Sequence, residues 1–389
     1  MYNIKLINKI AKVGTDAFDK TKYTVSEDAT DACALMVRSA KLHDFEFDKS
    51  VLAIARAGAG VNNIPIDRCA ESGIVVFNTP GANANGVKEL TIAALLLASR
   101  DIVGGIAWAA SLEKDGDIAA KVERGKSAFA GCELLGKTLG VIGLGAIGGA
   151  VANAAIALGM KVIGYDPHLS VNAAWNLSGA VVKAESVDEI YSKSDYITLH
   201  IPAVSETKGM ICKASIDKMK NGVRIINLAR AELVLADDIK SALEDGKVRG
   251  YVTDFPTDDL IDARGVINIP HLGASTEESE ENCAVMAAIE LCDYLEHGNI
   301  KNSVNYPAVS IPVSGAQKGC RIGILHKNVA NMLAAITSVV SGGGYNIEHL
   351  SNGSKGEYAY TLIETDKVIN SAVADNLAHI ENVIRIRVI

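Results

Sequence analysis

The chain has no C-x-x-C pair, and its cysteines show no metal-ligand spacing. Its seven cysteines (Cys33, Cys69, Cys132, Cys212, Cys283, Cys292 and Cys320) are scattered and odd in number. That pattern suits reduced thiols in a cytoplasmic protein better than a disulfide framework. Positive charge is not in excess: 38 Lys and Arg stand against 46 Asp and Glu, a formal net charge of −8. That balance leaves no basic footprint for nucleic acid. The N-terminus, MYNIKLINKIAK, is broken by charge and does not read as a signal peptide. Long uncharged runs are also scarce. Thr138 to Met160 gives 23 residues without a charge, enough to span a bilayer. Six glycines and a strand-like LGVIGLG start make a strand, turn and helix the better reading, so no membrane partner is expected.

What is present is apolar alternation. Hydrophobic residues make up 49% of the 389 and charged residues 22%, ample for packed cores in two or three domains. The runs IKLIN, ACALMVRSA, VLAIARAG and GIVVFNTP read as buried parallel strands separated by turns or polar helix. Val87 to Ala110 reads as one long apolar helix. A second series begins near Leu139 and continues through DYITLHIP, VRIINLAR, VRGYVTDF and GVINIPH. Helix then resumes from Thr276 to Gly298. The stretch SVNYPAVSIPVSGAQKG, with Pro307 and Pro312, reads as a linker. Beyond it the pattern is β-α-β-β-α-β, a ferredoxin-like unit.

The most informative motif is Gly143-Leu144-Gly145-Ala146-Ile147-Gly148, a G-x-G-x-x-G between an apolar strand and a helix. Asp166 follows at the end of the next strand. In that context the first glycine permits a tight turn and the second lets amides, with those of Ala146 and Ile147, approach a pyrophosphate. The third allows close helix packing, and the helix N-terminus favours the negative charge. Asp166 suits a ribose diol and repels a 2′-phosphate, so NAD is expected over NADP.

Four further stretches carry a likeness: NLARAELV (227–234), PHLGAST (270–276), LHIP (199–202) and RAGAGVNNIPID (56–67). Together they resemble the D-isomer-specific 2-hydroxyacid dehydrogenases over about residues 1–305. The resemblance implies a Rossmann NAD-binding domain at 92–276, inserted in a flavodoxin-like substrate domain at 1–91 and 277–307. It implies Arg230 as the guanidinium that grips the substrate carboxylate and His271 as the acid–base group. Ala231 departs from the family, which has glycine after that arginine. His200, Pro202, Thr207 and Ala229 are implied along the cofactor, with Asp254 at the nicotinamide amide. The family supports its histidine with a glutamate; counting along the shortened loop puts Asp258 at that place, with Asp259, or no direct carboxylate partner, as the alternatives.

Arg38 and Arg56 stand at strand ends, where doubly wound sheets bind ligands, and match phosphate contacts in the family's phosphate-handling members. Lys88 is a third candidate cation. The amides of Ala59, Gly60 and Val61 are candidates for the substrate carboxylate, with glycine allowing close approach. Oxidation of a small phosphorylated 2-hydroxy acid is the expected activity. Its rivals are a glyoxylate or hydroxypyruvate reductase and an NADH-sensing corepressor-like binding protein.

The tail, 318–389, resembles an ACT domain, a regulatory fold that binds amino acids at subunit interfaces. His326, Asn328 and Asn346 match serine-binding positions, so a serine effector and a homodimer or homotetramer are implied. Asn331 and Ala330 replace the glycine and proline usual there.

Overall fold

The computed structural model describes residues 1–114, 116–313 and 319–389. Residues 314–318 of the linker, and with them the expected start of the C-terminal domain at 318, lie outside the described residues. The chain divides into two compact units, Met1–Asn83 with Glu277–Ile389, and Ala84–Thr276. The division falls at Asn83/Ala84, and the C-terminal sheet clusters with the first unit.

In the first unit, β1 (Tyr2–Leu6), β2 (Tyr23–Ser26), β3 (Ala34–Val37), β4 (Ala53–Arg56) and β5 (Val75–Phe77) form one sheet. The order is β2-β1-β3-β4-β5 and every pairing is parallel. β2 escaped the sequence reading because YTVS is short and only partly apolar. β3 and β4 are covered on both faces, as a parallel sheet requires, and read as unbroken apolar runs. The helix Glu277–His297 presents Ala284, Ala287, Ala288 and Leu291 to that core.

In the second unit, β6 (Thr138–Ile142), β7 (Lys161–Tyr165), β8 (Val182–Lys183), β9 (Tyr196–Leu199), β10 (Val223–Asn227), β11 (Val248–Thr253) and β12 (Val266–Asn268) form a parallel sheet. Its order is β12-β11-β10-β9-β6-β7-β8, a doubly wound arrangement whose direction switches between β6 and β9. The uncharged stretch Thr138–Met160 resolves into β6 and the helix Ala146–Ala157. Among the described residues no single helix is long and apolar enough to cross a membrane.

The long helix expected over Val87–Ala110 is two helices, Ala84–Ser99 and Ile102–Ala110, bent by 72°. Polarity at Arg100-Asp101 explains the break. The Asp101 carboxylate accepts from the Gly104 N–H at 2.9 Å and caps a new helix. The Ser99 carbonyl is meanwhile taken by the Cys132 N–H at 3.0 Å.

The C-terminal sheet contains β13 (Arg321–Lys327), β14 (Ile347–Lys355), β15 (Tyr358–Thr365) and β16 (Val383–Val388), antiparallel in the order β14-β15-β13-β16. Helices Met332–Gly342 and Ser371–Ala378 complete the expected β-α-β-β-α-β unit. Asn331 stands before the first of them at φ 69°, the left-handed geometry asparagine tolerates. The sheet buries two faces. Ile322, Ile324 and Ile363 pack on its own helices, while Leu325, Tyr360 and Leu362 join the core of the N-terminal sheet. The last turn of Glu277–His297 is capped from this sheet. Arg387 donates to the carbonyls of Tyr294 and Leu295 at 3.1 and 2.9 Å, and Tyr360 Oη donates to that of Gly298 at 2.8 Å.

Candidate functional site

The chemistry collects at the carboxyl ends of the strands. After β6 the chain turns at Gly143, whose φ of +91° a side chain rarely adopts. A Cβ on Gly148 would strike the carbonyl of Gly143, so the helix can begin this close to the strand only with glycine there. Nothing stands within 4 Å of a Cβ position on Gly145, which leaves open space before the helix N-terminus. The first N–H groups of that helix, at Ala146, Ile147 and Gly148, have no acceptor among the described residues. This cradle fits a pyrophosphate.

Asp166, just beyond β7, braces the cradle as well. Its Oδ2 accepts from the Leu144 N–H at 2.8 Å and its Oδ1 from the His168 N–H at 2.9 Å. A carboxylate oxygen has two lone pairs, so acceptor capacity for a ribose remains. Past β9, His200 Nε2 lies 3.0 Å from Thr198 Oγ1, and burial pushes the imidazole down to about 4. It is therefore neutral at physiological pH. The Thr207 hydroxyl donates to the Pro202 carbonyl at 2.6 Å and accepts from the Val204 N–H at 2.9 Å, closing the turn after LHIP.

Three adjacent strands lead to the candidate acid–base residues. β12, β11 and β10 run in register, with Asn268 opposite Thr253 and Thr253 opposite Asn227. Just past their ends come His271, Asp254 and Arg230. Arg230 and His271 are exposed, whereas Asp254 is 1% exposed. Burial raises the Asp254 carboxyl above its ordinary value, while the charge of His271, the N–H of Gly273 and the charge of Arg230 pull the other way. Its Oδ1 is buried with no partner among the described residues. The Phe255 ring packs on the imidazole of His271, centroids 4.7 Å apart.

Asp258 does not take the place expected of it. The chain turns at Thr257, whose carbonyl accepts from the N–H groups of Leu260 and Ile261 at 3.0 Å. Leu260 is pulled into the core and Asp258 is left in solvent, without a hydrogen bond or ion pair to another described residue. Asp259 is exposed beside it. The charge of His271 acts on the buried Asp254 carboxyl.

Asn227 was not singled out in the sequence, yet it shapes the arginine loop. Fully buried at the end of β10, it donates from Nδ2 to the Arg230 carbonyl at 2.8 Å and accepts at Oδ1 from the N–H groups of Ala229 and Arg230 at 3.2 and 3.3 Å. Arg230 Nη1 also donates to the Ala229 carbonyl at 2.6 Å. A polar residue ending an apolar strand just before NLAR was the available signal.

In the first unit, Arg38 follows β3 and Arg56 ends β4, with Val37 opposite Arg56 in register. Arg56 Nε donates to the Arg38 carbonyl at 3.1 Å, and the Arg38 guanidinium pairs with the carboxylate of Glu280. In the loop that follows, the N–H groups of Ala59, Gly60 and Val61 donate to no described residue. Lys88, in the second unit, is partly satisfied locally: Nζ donates to Asn85 Oδ1 at 2.5 Å and lies 3.8 Å from the Glu89 carboxylate.

The three candidate effector residues do not converge within the chain. His326 is buried, with Nδ1 2.8 Å from the Lys327 carbonyl and Nε2 2.9 Å from Thr361 Oγ1. Burial keeps its pKa below the ordinary imidazole value. Asn328 is exposed and donates to the Gly356 carbonyl at 3.1 Å. Asn346 pairs its backbone with Asp366, while His326 sits opposite Ala359. Seven residues of extended chain separate those partners, roughly 20 Å at the rise of a strand.

The glycine cradle, the carboxylate behind it and the order of the seven strands define a dinucleotide-binding Rossmann unit. The model for the D-isomer specific 2-hydroxyacid dehydrogenase NAD binding domain matches residues 92–273. D-3-phosphoglycerate dehydrogenase of Methanocaldococcus jannaschii is 34% identical over 371 residues, 93% of this chain and 67% of that protein. The Bacillus subtilis D-3-phosphoglycerate dehydrogenase is 37% identical over 287 residues, 71% of this chain and 52% of that protein. The NAD+-bound crystal structure of 3-phosphoglycerate dehydrogenase from Entamoeba histolytica matches with a TM-score of 0.59 at 28% identity, over 78% of this chain and 98% of that one. The chain belongs to the D-isomer specific 2-hydroxyacid dehydrogenase family, and its cofactor is NAD.

Proposed function

We propose that the chain oxidises 3-phospho-D-glycerate to 3-phosphohydroxypyruvate, and the reverse. The observation that carries the chemistry is the delivery of His271, Asp254 and Arg230 by three adjacent strands of an NAD-binding sheet. The relatives named as phosphoglycerate dehydrogenases, and the arginines at two neighbouring strand ends, support the phosphorylated substrate.

Arg230 grips the substrate carboxylate and polarises the C2 oxygen, since its planar fork stays charged and donates two parallel hydrogen bonds. The N–H groups of Ala59, Gly60 and Val61 receive carboxylate oxygen. Arg38 and Arg56, at neighbouring strand ends, hold the phosphate, which displaces Glu280 from Arg38. Bound NAD supplies the acceptor for the hydride from C2. His271 takes the hydroxyl proton as the C2 carbonyl forms. Asp254 stabilises the resulting imidazolium by its nearby charge. Its unpartnered Oδ1 remains an acceptor for the carboxamide of the cofactor.

An NADH-coupled assay with phosphohydroxypyruvate tests this reading. Turnover of glyoxylate or hydroxypyruvate in preference to phosphohydroxypyruvate would overturn it. That outcome is the second reading, favoured by the engagement of Arg38 with Glu280 and of Lys88 with Asn85. For the tail, serine control rests on the resemblance alone, because His326 has both ring nitrogens engaged. Activity unchanged by millimolar serine removes it. Exposed Ile102, Val103 and Ile106 on one short helix support a homo-oligomer, checked by light scattering.

A further inference from the structure

The loop Ala59–Val61 can receive an anion only if its amides are aimed, and a planar trans peptide points its N–H opposite to its C=O. Whatever holds the Gly58 and Ala59 carbonyls therefore aims the N–H groups of Ala59 and Gly60. The Thr79 N–H donates to the Gly58 carbonyl at 3.2 Å, and Asn78 Nδ2 donates to the Ala59 carbonyl at 2.6 Å. Both donors lie just beyond β5, one strand over from β4.

Asn78 is itself held from far along the chain. Its N–H donates to the Asn302 carbonyl at 3.3 Å, next to the antiparallel bridge between Phe77 and Ser303. Asn302 Nδ2 donates to Glu290 Oε1 at 2.6 Å. Glu290 is 6% exposed on the helix Glu277–His297, and no step of the proposed chemistry uses it. A buried carboxylate is costly unless it has a partner, and its hydrogen-bond partner among the described residues is Asn302.

We propose that Asn78 is a positioning residue for the substrate carboxylate, fixing the amides of Ala59 and Gly60 through their carbonyls, and that Glu290 and Asn302 hold Asn78 in place. This rests on the reading of that loop as the carboxylate receptor, whatever the rest of the substrate is.

The test is binding of oxalate, a dicarboxylate with no phosphate, to the full chain in the presence of NADH, measured by calorimetry. Asn78→Ala removes the donor, Glu290→Met removes the acceptor for Asn302, and Glu290→Gln keeps it. A hydrogen bond of this kind is worth about tenfold in affinity, so Asn78→Ala should weaken oxalate about tenfold. Glu290→Met should weaken it by roughly half as much on a logarithmic scale, and Glu290→Gln should stay within about twofold. NADH affinity should be unchanged in all three, and the KM for phosphohydroxypyruvate should rise more than kcat falls. Oxalate binding by Asn78→Ala equal to that of the unmodified chain overturns the proposal, as does an unmodified chain that binds no oxalate. If Glu290→Met does not fold, Asn302→Leu breaks the same link. An unmodified chain inactive on phosphohydroxypyruvate but showing this oxalate pattern sinks the phosphoglycerate reading and leaves the positioning role standing.

Discussion

The two ligand-facing turns, Gly143–Gly148 in one unit and Arg56–Val61 in the other, solve the same problem in opposite ways. Each follows a strand of a doubly wound parallel sheet, and in the proposed function each presents backbone N–H groups to an anion. The first is nearly self-contained: its glycines, its helix and Asp166 lie within 24 residues of sequence. The second contains no helix of its own and depends on Asn78 and Asn302, the latter more than two hundred residues away. A turn backed by a helix N-terminus has its donors oriented by secondary structure. A bare loop must have its peptides held one by one.

The sharpest way to break the comparison is to remove the chemistry and ask whether either turn notices. His271→Gln should lower kcat by about 10²- to 10⁴-fold, the range of general acid–base catalysis. NADH and oxalate affinities should stay near those of the unmodified chain, and a kcat reduced less than tenfold would contradict the assignment. Next, Gly148→Val drives a branched side chain into the Gly143 carbonyl. NADH binding by fluorescence titration should weaken by about a hundredfold or more, about 3 kcal/mol, the scale of overpacking.

Third, Asp254→Asn should lower kcat by about tenfold or more, because the buried charge beside His271 is lost. Asp258→Asn should leave kcat within about twofold, as for a solvated surface charge. Equal effects of the two would restore Asp258 as a candidate.

The last test concerns stability rather than catalysis. Burial pushes Glu290 up to about 7 from 4.5. Because its folded pKa is raised, the folded state binds the proton more tightly. The favourable protonated form is fully present below about 4.5, and stability is lost as pH rises from there through about 7. Relative to the unmodified chain, Glu290→Gln should therefore gain stability across that window, by on the order of 2–3 kcal/mol at pH 8. Urea midpoints at pH 5 and pH 8 give the check, and a constant difference between the two chains would contradict it.

Much of this was legible before folding. The apolar runs of both sheets, the glycine turn, Asp166, and the motifs holding Arg230 and His271 are local patterns of two to eight residues, and local patterns survive in a linear reading. The misjudged features share one property. Asp258 was placed by counting along a loop, but a loop follows its buried anchors, and Leu260 swings the aspartate outward. The helix over Val87–Ala110 looked continuous because its apolar period continues, while a single capping bond at Asp101 restarts it in a new direction. The candidate effector residues matched a motif by spacing, and within one chain β15 holds Asn346 and His326 at opposite ends, so a shared effector site would need a subunit interface.

The sequence by itself determined the class of fold and the cofactor turn, and it supplied Arg230 and His271 as candidates, because each is written in a contiguous stretch. Only the tertiary structure decided that Asp254 is buried while Asp258 is left in solvent, and what holds the carbonyls of Gly58 and Ala59. It alone also placed the C-terminal sheet as the cap on the helix Glu277–His297. Those are pairings between distant segments, and their partners are chosen by burial and by the need to satisfy buried polar groups.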